Sequence, residues 1–399
     1  MPLTVSQRGQ DMPASPIRKL APYADAAKKR GVHVYHLNIG QPDLETPPVM
    51  RQRLQQLKEK VYAYSPSGGT PEYVNTLAQY YRMLGINLNS GQILATTGGS
   101  EAILFAMYAC CNPGDEILVV EPFYTNYRSF AMMAGVTLKP LLSHGEDGFH
   151  LPALSEWEKA ITARTKMVIL CNPSNPTGTV YHQEELQRVA QFCKDKGLYL
   201  LADEVYREFV YDGRKAISML TLPGIEDHVI VVDSLSKRYS ACGIRLGCLI
   251  TRNAEVFSSC MRMAQGRLSP PGLAQFIALG ATELGPDYFQ GIVTEYQKRR
   301  DVLYQGLQKI PGVFLRKPEG AFYFVARLPV KDSDHFAAWL LSDFQYQGAT
   351  VMVAPANGFY ATPGLGMNEV RIAYVLKEED LQASVRILEA ALQAYPAKS

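Results

Sequence analysis

The stretch Val229–Gly247, VIVVDSLSKRYSACGIRLG, runs four apolar residues into Asp233 and then sets Ser234, Ser236, Lys237 and Arg245 one after another. Unbroken rather than alternating apolarity marks a strand covered on both faces, as in a parallel sheet. The same design recurs along the chain in QILATTGGS (92–100), EILVVEPFY (116–124), KMVILCNPSNPTG (166–178), LYLLADEVY (198–206) and GCLIT (247–251). Each run ends in a polar or glycine-rich turn. Helical stretches separate several of them: in EELQRVAQFCKDKG (184–197), Leu186, Val189, Ala190 and Cys193 recur at helical spacing and Gly197 closes the segment. Strand, helix and strand repeated in this way predict an α/β fold built on a doubly wound, mostly parallel sheet.

Beyond about residue 290 the pattern changes to a long amphipathic helix, the strand candidates AFYFVARL (321–328) and EVRIAYVL (369–376), and a last helix with Leu381, Val385, Leu388 and Leu392 on one face. A smaller α+β domain is expected there. The expected division is residues 1–45 as an N-terminal arm and part of the small domain, 46–289 as the large domain, and 290–399 as the small C-terminal domain.

Composition narrows the functional classes. The 399 residues carry 40 basic and 38 acidic side chains, well mixed, for a net charge of +2. No basic stripe awaits phosphates, so neither nucleic acid nor an anionic membrane is an expected partner. No apolar run approaches the length of a membrane span or a signal peptide. Seven cysteines, an odd number without a CxxC pair, suit reduced core thiols and a cytoplasmic protein. The scattered histidines show no zinc-ligand spacing, so no structural metal is expected.

Ligands of a doubly wound sheet sit beyond the carboxyl ends of its strands, so the polar clusters that follow the strands belong together. Gly98-Gly99-Ser100 enters a helix, where free backbone N–H groups can hold a phosphate, although such a triplet by itself reads equally as a turn and a cap. Tyr124 offers a flat face, Asn172 and Asn175 sit in a proline-stiffened loop, and Asp203 precedes Tyr206. A carboxylate such as Asp203, buried opposite a protonated ring nitrogen, would hold that proton. Lysine at position 237 can form a Schiff base with an aldehyde, and Ser234, Ser236 and Arg245 can bind a phosphate. Aldehyde, ring nitrogen, flat face and phosphate together describe pyridoxal 5'-phosphate. No GxGxxG follows a strand, which removes a nicotinamide dehydrogenase from consideration.

In LNIGQPDLETPP (37–48), YAYSPSGGTPEY (62–73), TTGGSEAI (96–103), NPSNPTG (172–178), LADEVY (201–206), SLSKRYSACGIRLG (234–247) and NEVRIAYV (368–375), the chain resembles the fold type I pyridoxal-phosphate enzymes, within them the class I/II aminotransferases related to aspartate aminotransferase. The resemblance makes Lys237 the lysine that carries the cofactor and shuttles the proton. It makes Asp203 the partner of the pyridinium nitrogen, Tyr206 and Asn175 donors to the ring's phenolic oxygen, and Tyr124 the stacking residue. Gly99, Ser100, Ser234 and Arg245 would hold the phosphate, with Ser236 a helper. Arg371 would grip the substrate α-carboxylate, with Asn175 and the Gly40 backbone nearby. Tyr64 would reach the cofactor phosphate of a neighbouring subunit, which implies a homodimer with shared sites. Asp233 is left a structural role and Arg238 an incidental one.

The activity so implied is transfer of an amino group from an L-amino acid, aspartate or another common one, to a 2-oxo acid such as 2-oxoglutarate, with ping-pong kinetics. A C–S β-lyase on the same fold is the alternative. Some aspartate-preferring bacterial relatives have a lysine where this chain has Ser100; Arg262 and Arg267 are the other candidates for a side-chain carboxylate.

Overall fold

The computed structural model describes residues 3–396. Its largest sheet has seven strands in the order Ile93–Thr96, Gly247–Thr251, Val229–Ser234, Tyr199–Asp203, Thr165–Cys171, Glu116–Glu121 and Thr137–Leu142. Gly247–Thr251 is antiparallel to both of its neighbours, and the remaining pairings are parallel. Six of these strands follow the apolar runs of the sequence. The seventh, Thr137–Leu142, carries Lys139 and Pro140 and lies at the sheet edge with one neighbour. An edge strand is partly solvated and tolerates proline, so it lacks the apolar run that identified the others.

Alternation of side chains across the pleat explains why the runs had to be apolar throughout. Leu118, Val168, Leu200 and Val231 point into one core, and Ile117, Ile169, Leu201 and Ile230 into another on the opposite face. Helix Gln183–Lys196 covers the first face with Leu186, Val189, Ala190 and Cys193, and stops at Gly197, whose φ of 64° closes the helix in the left-handed region.

A third core joins the two ends of the chain. Ala24, Val34 and Leu37 pack with Leu303, Phe324, Ile372 and Leu388. Strand His33–His36 pairs in parallel with Ala349–Met352, and a separate antiparallel sheet holds Glu369–Ala373 between Tyr323–Arg327 and Ala354–Pro355. The expected cut at 289/290 falls inside helix Pro286–Leu307. The physical reason is that this helix serves two cores: Phe289 packs against the large-sheet core, whereas Ile292, Tyr296 and Leu303 are buried in the third. Residues 3–11 are exposed and include the short helix Gln7–Asp11. Among the described residues no helix is long and apolar enough to cross a membrane.

Candidate active site

A cavity of about 860 Å³ opens at the carboxyl ends of the parallel strands, between the large sheet and the third core. Gly40, Gly99, Ser100, Tyr124, Asn175, Asp203, Tyr206, Ser234, Ser236, Lys237, Arg245 and Arg371 all line it. Tyr64 does not: it stands on the surface, 80% exposed. Arg262 and Arg267 do not line it either. Arg262 bonds Ser258, and Arg267 pairs with Glu101 and donates to the carbonyls of Ser67 and Ala95.

The lysine is delivered by a very short helix, Leu235–Arg238, that follows strand Val229–Ser234 without a loop. Ser234 caps it, its Oγ accepting from Ser236 N at 3.2 Å. The same Oγ lies 2.9 Å from Ser236 Oγ. Lys237 is half-buried; its Nζ donates to the Gly40 carbonyl at 2.8 Å and lies 3.8 Å from Cys242 Sγ. Arg245 adopts a left-handed backbone (φ 55°) and packs against Gly98, where a Cβ would come within 2.6 Å of its Nη2. Gly98 itself has a φ of 72°, a left-handed backbone that favours glycine, and a Cβ there would also displace the Arg245 guanidinium. Helix Gly98–Cys110 begins at this point and presents Gly99 and Ser100 to the cavity.

Asp203 ends its strand with its side chain buried. Its carboxylate accepts from Tyr127 Oη at 2.6 Å and from Val205 N at 3.4 Å. Burial pushes its pKa up to about 6, against the opposing pull of the Tyr127 hydrogen bond. Tyr206 and Tyr323 share a hydrogen bond of 2.9 Å between their hydroxyls, and Asn175 Nδ2 lies 3.5 Å from the Tyr206 oxygen. Burial raises the Tyr206 phenol well above its ordinary value, so it stays protonated. Burial also pushes the Tyr124 hydroxyl up, to about 12.

Arg371 is buried, with Nη1 donating to Asn175 Oδ1 at 3.0 Å and Nη2 to the Asn38 carbonyl at 2.6 Å. Its guanidinium lies 4.5 Å from the Tyr323 ring centroid and 5.0 Å from that of Phe359. Among the described residues its Nε is buried without a partner.

Several residues at this site were not singled out from the sequence. Tyr127 lies three residues beyond Tyr124, just past the EILVVEPFY run, and it reaches Asp203 because helix Asn126–Ala134 begins there. Tyr323 sits in the strand candidate AFYFVARL, where its aromatic character read as core. Asn38, Cys242 and the exposed Arg18 also line the cavity. Arg238 is not incidental. It is buried beside Lys237, bonds Asp233 at 2.5 Å and the Tyr80 hydroxyl at 2.9 Å, and stacks 4.1 Å from the Tyr80 ring. The fold also gathers His150, His182 and Glu185 away from the cavity, which their sequence spacing did not suggest. Their groups are engaged with one another: Glu185 meets His150 Nδ1 at 2.9 Å and accepts from the backbone of Leu151 and His182, while the two imidazoles stack.

Comparison with known proteins shows what the chain as a whole is similar to. Residues 32–388 match the family model described as aminotransferase class I and II. A probable aspartate/prephenate aminotransferase of Aquifex aeolicus is 29% identical over 397 residues, covering 98% of each chain. An aspartate aminotransferase of Sulfurisphaera tokodaii is 31% identical over 374 residues, 91% of this chain and 92% of the other. Among solved structures, the aspartate aminotransferase of Thermotoga maritima superposes with a TM-score of 0.89 at 28% identity, and an alanine aminotransferase of Pyrococcus furiosus with 0.88 at 29%. Each covers 98% of this chain and 100% of its own.

Proposed function

Because the chain belongs to the class I and II aminotransferases and is a pyridoxal-phosphate-dependent enzyme, we propose that it moves the amino group of aspartate to 2-oxoglutarate by a ping-pong route. The names of its relatives support aspartate as donor. The observation that carries the reading is the convergence on one cavity of Lys237, a buried carboxylate at Asp203 and a buried guanidinium at Arg371.

The cavity fits the cofactor on its own chemistry. Asp203 is a buried carboxylate whose hydrogen bonds come from neutral donors, Tyr127 and a backbone amide, and burial without a cation raises its pKa. A protonated ring nitrogen supplies the opposite charge that this site lacks. When bound, pyridoxal phosphate supplies an aldehyde for the lysine and a cationic ring that accepts the electron pair left as the substrate loses its α-proton.

The protein's residues then divide the work. Lys237 would hold the cofactor covalently and would serve as the base that moves one proton during transfer. Asp203 would keep the ring nitrogen protonated, Tyr206 and Asn175 would donate to the phenolic oxygen, and Tyr124 would offer the ring a flat face. Arg245, the start of helix Gly98–Cys110 at Gly99 and Ser100, and the Ser234 and Ser236 hydroxyls hold the phosphate. Arg371 would bind the α-carboxylate beside Gly40 through its planar fork, with Asn175 and Asn38 fixing the plane of its guanidinium.

The same reading makes Tyr64 a contribution to the site of a second subunit, with Val61 and Tyr62 exposed beside it in a homodimer interface. It divides the chain into an arm with part of a small domain (1–45), a cofactor domain, and a small C-terminal domain that takes over within helix Pro286–Leu307. Seven free thiols suit the reducing cytoplasm.

The test is a half-reaction panel in which the pyridoxal form is mixed with single amino acids and its absorbance followed to the pyridoxamine form. Aspartate should convert it stoichiometrically and 2-oxoglutarate should restore it. No conversion by any amino acid overturns the reading, and pyruvate released from a cysteine-type donor without a 2-oxo acid would support a β-lyase instead.

A further inference from the structure

We infer that Tyr323 is a positioning residue that ties the substrate-carboxylate grip of Arg371 to the phenolic hydroxyl of Tyr206, an inference that rests on the roles proposed above for those two residues. Tyr323 lies in strand Tyr323–Arg327, next to Glu369–Ala373, and is 2% exposed. From that place one side chain touches three members of the site. Its hydroxyl is 2.9 Å from the Tyr206 hydroxyl. Its ring lies 4.5 Å from the Arg371 guanidinium carbon. Against Gly40 it fits so closely that a Cβ there would fall 1.7 Å from its Oη, which explains the glycine that accepts from Lys237.

The two ends of Tyr323 act by different physics. The ring face attracts the guanidinium and, with the two carbonyl bonds, holds it flat for a carboxylate. Either hydroxyl can donate across the 2.9 Å contact; with the Tyr206 hydrogen directed at the phenolic oxygen, Tyr323 becomes the donor of the pair and makes Tyr206 a stronger donor, since hydrogen bonds in a chain polarise one another. A donor to an oxygen that titrates favours its deprotonated form. Tyr323 therefore reaches the cofactor end through Tyr206 and the substrate end through Arg371.

Substitution separates the two effects. Tyr323→Phe keeps the ring and removes the hydroxyl, whereas Tyr323→Leu removes both. In the holoenzyme, the spectroscopic pH titration of the lysine-linked cofactor should shift upward in Y206F, upward by less in Y323F, and in Y206F/Y323F no further than in Y206F alone. KM for the amino acid should stay within about twofold in Y323F and rise roughly 2- to 30-fold in Y323L. If Y206F shifts the titration and Y323F does not, or if their shifts add in the double variant, the inference fails. If Y206F itself leaves the titration unmoved, the role assigned to Tyr206 is what fails. An unchanged KM in Y323L overturns the link to Arg371.

Discussion

Tyr127 Oη donates a 2.6 Å hydrogen bond to Asp203 Oδ2 at the carboxyl end of the strand, and both side chains are shut away from solvent. Burial dominates at Asp203 and pushes its carboxyl up to about 6, with Tyr127 pulling the other way and the Asp233 and Glu204 carboxylates adding to the rise. The same carboxyl in an unfolded chain ionises near about 3.9. Between these values the folded, cofactor-free protein binds more protons than the unfolded one. Asp203 thus lowers stability progressively as pH rises from about 4 to about 6, and by a constant amount above that. Asp203→Asn escapes this loss, so relative to wild type the cofactor-free variant should gain the equivalent of roughly 3 kcal/mol across that window. Calorimetry of the two proteins over pH checks it; a pH-independent difference would contradict the burial account.

Lys237→Ala should still bind the cofactor through the phosphate contacts but without a covalent link. The visible absorbance of the lysine-linked form disappears, and transamination falls by about 10²- to 10⁴-fold from the lost proton transfer alone. Undiminished turnover would sink the assignment of Lys237.

Arg371→Lys keeps the charge and loses the planar fork. The two hydrogen bonds to Asn175 and Asn38 that orient the guanidinium have no equivalent on an ammonium. KM for amino acids should rise roughly 10- to 100-fold, the scale of one charged hydrogen bond, with kcat changing less. Steady-state kinetics with donor and acceptor varied separately measures it, and equal loss in kcat alone would place Arg371 elsewhere in the reaction.

Asp233 at the end of its strand and Arg238 in the lysine helix form a fully buried ion pair, and Arg207 lies 3.8 Å from the same carboxylate. Asp233→Ala removes the 2.5 Å partner of the buried Arg238, which keeps only Glu208 at 3.5 Å as a counter-charge, while Arg207 stays paired with Glu204 at 2.6 Å. A loss of about 3–5 kcal/mol in unfolding free energy is expected, measurable by denaturant titration. A change below about 1 kcal/mol would mean the network is not a structural anchor.

Tyr64 lies outside the cavity of its own chain, so shared sites make a distinct prediction. Mixing K237A with Y64A, at a cofactor concentration that leaves each alone idle, creates hybrid dimers with one intact site. About a quarter of wild-type activity should appear on random pairing. No recovery despite subunit exchange would separate Tyr64 from the neighbour's site.

Local patterns carried much of this protein into view. Strands buried on both faces must be apolar at every position, so six strands of the large sheet read directly from runs such as VIVV. The polar groups that follow those runs had to meet at one edge of the sheet, because parallel strands end together, and Lys237, Asp203 and Asn175 do line one cavity. Contacts between distant segments leave no such trace. Tyr323 and Tyr206 are 117 residues apart, Tyr127 and Asp203 are 76 apart, and an aromatic residue in an apolar run reads as core until its hydroxyl finds a partner. Arg238 looked incidental beside the lysine because sequence does not reveal burial; only packing against Asp233 and Tyr80 makes it internal. Local periodicity was enough to show the six strands buried on both faces and the chemistry each of their ends delivers, but not the solvated edge strand Thr137–Leu142. The tertiary structure alone decided which hydroxyl, ring or counter-charge meets each of those groups, because that depends on how separate cores are brought face to face.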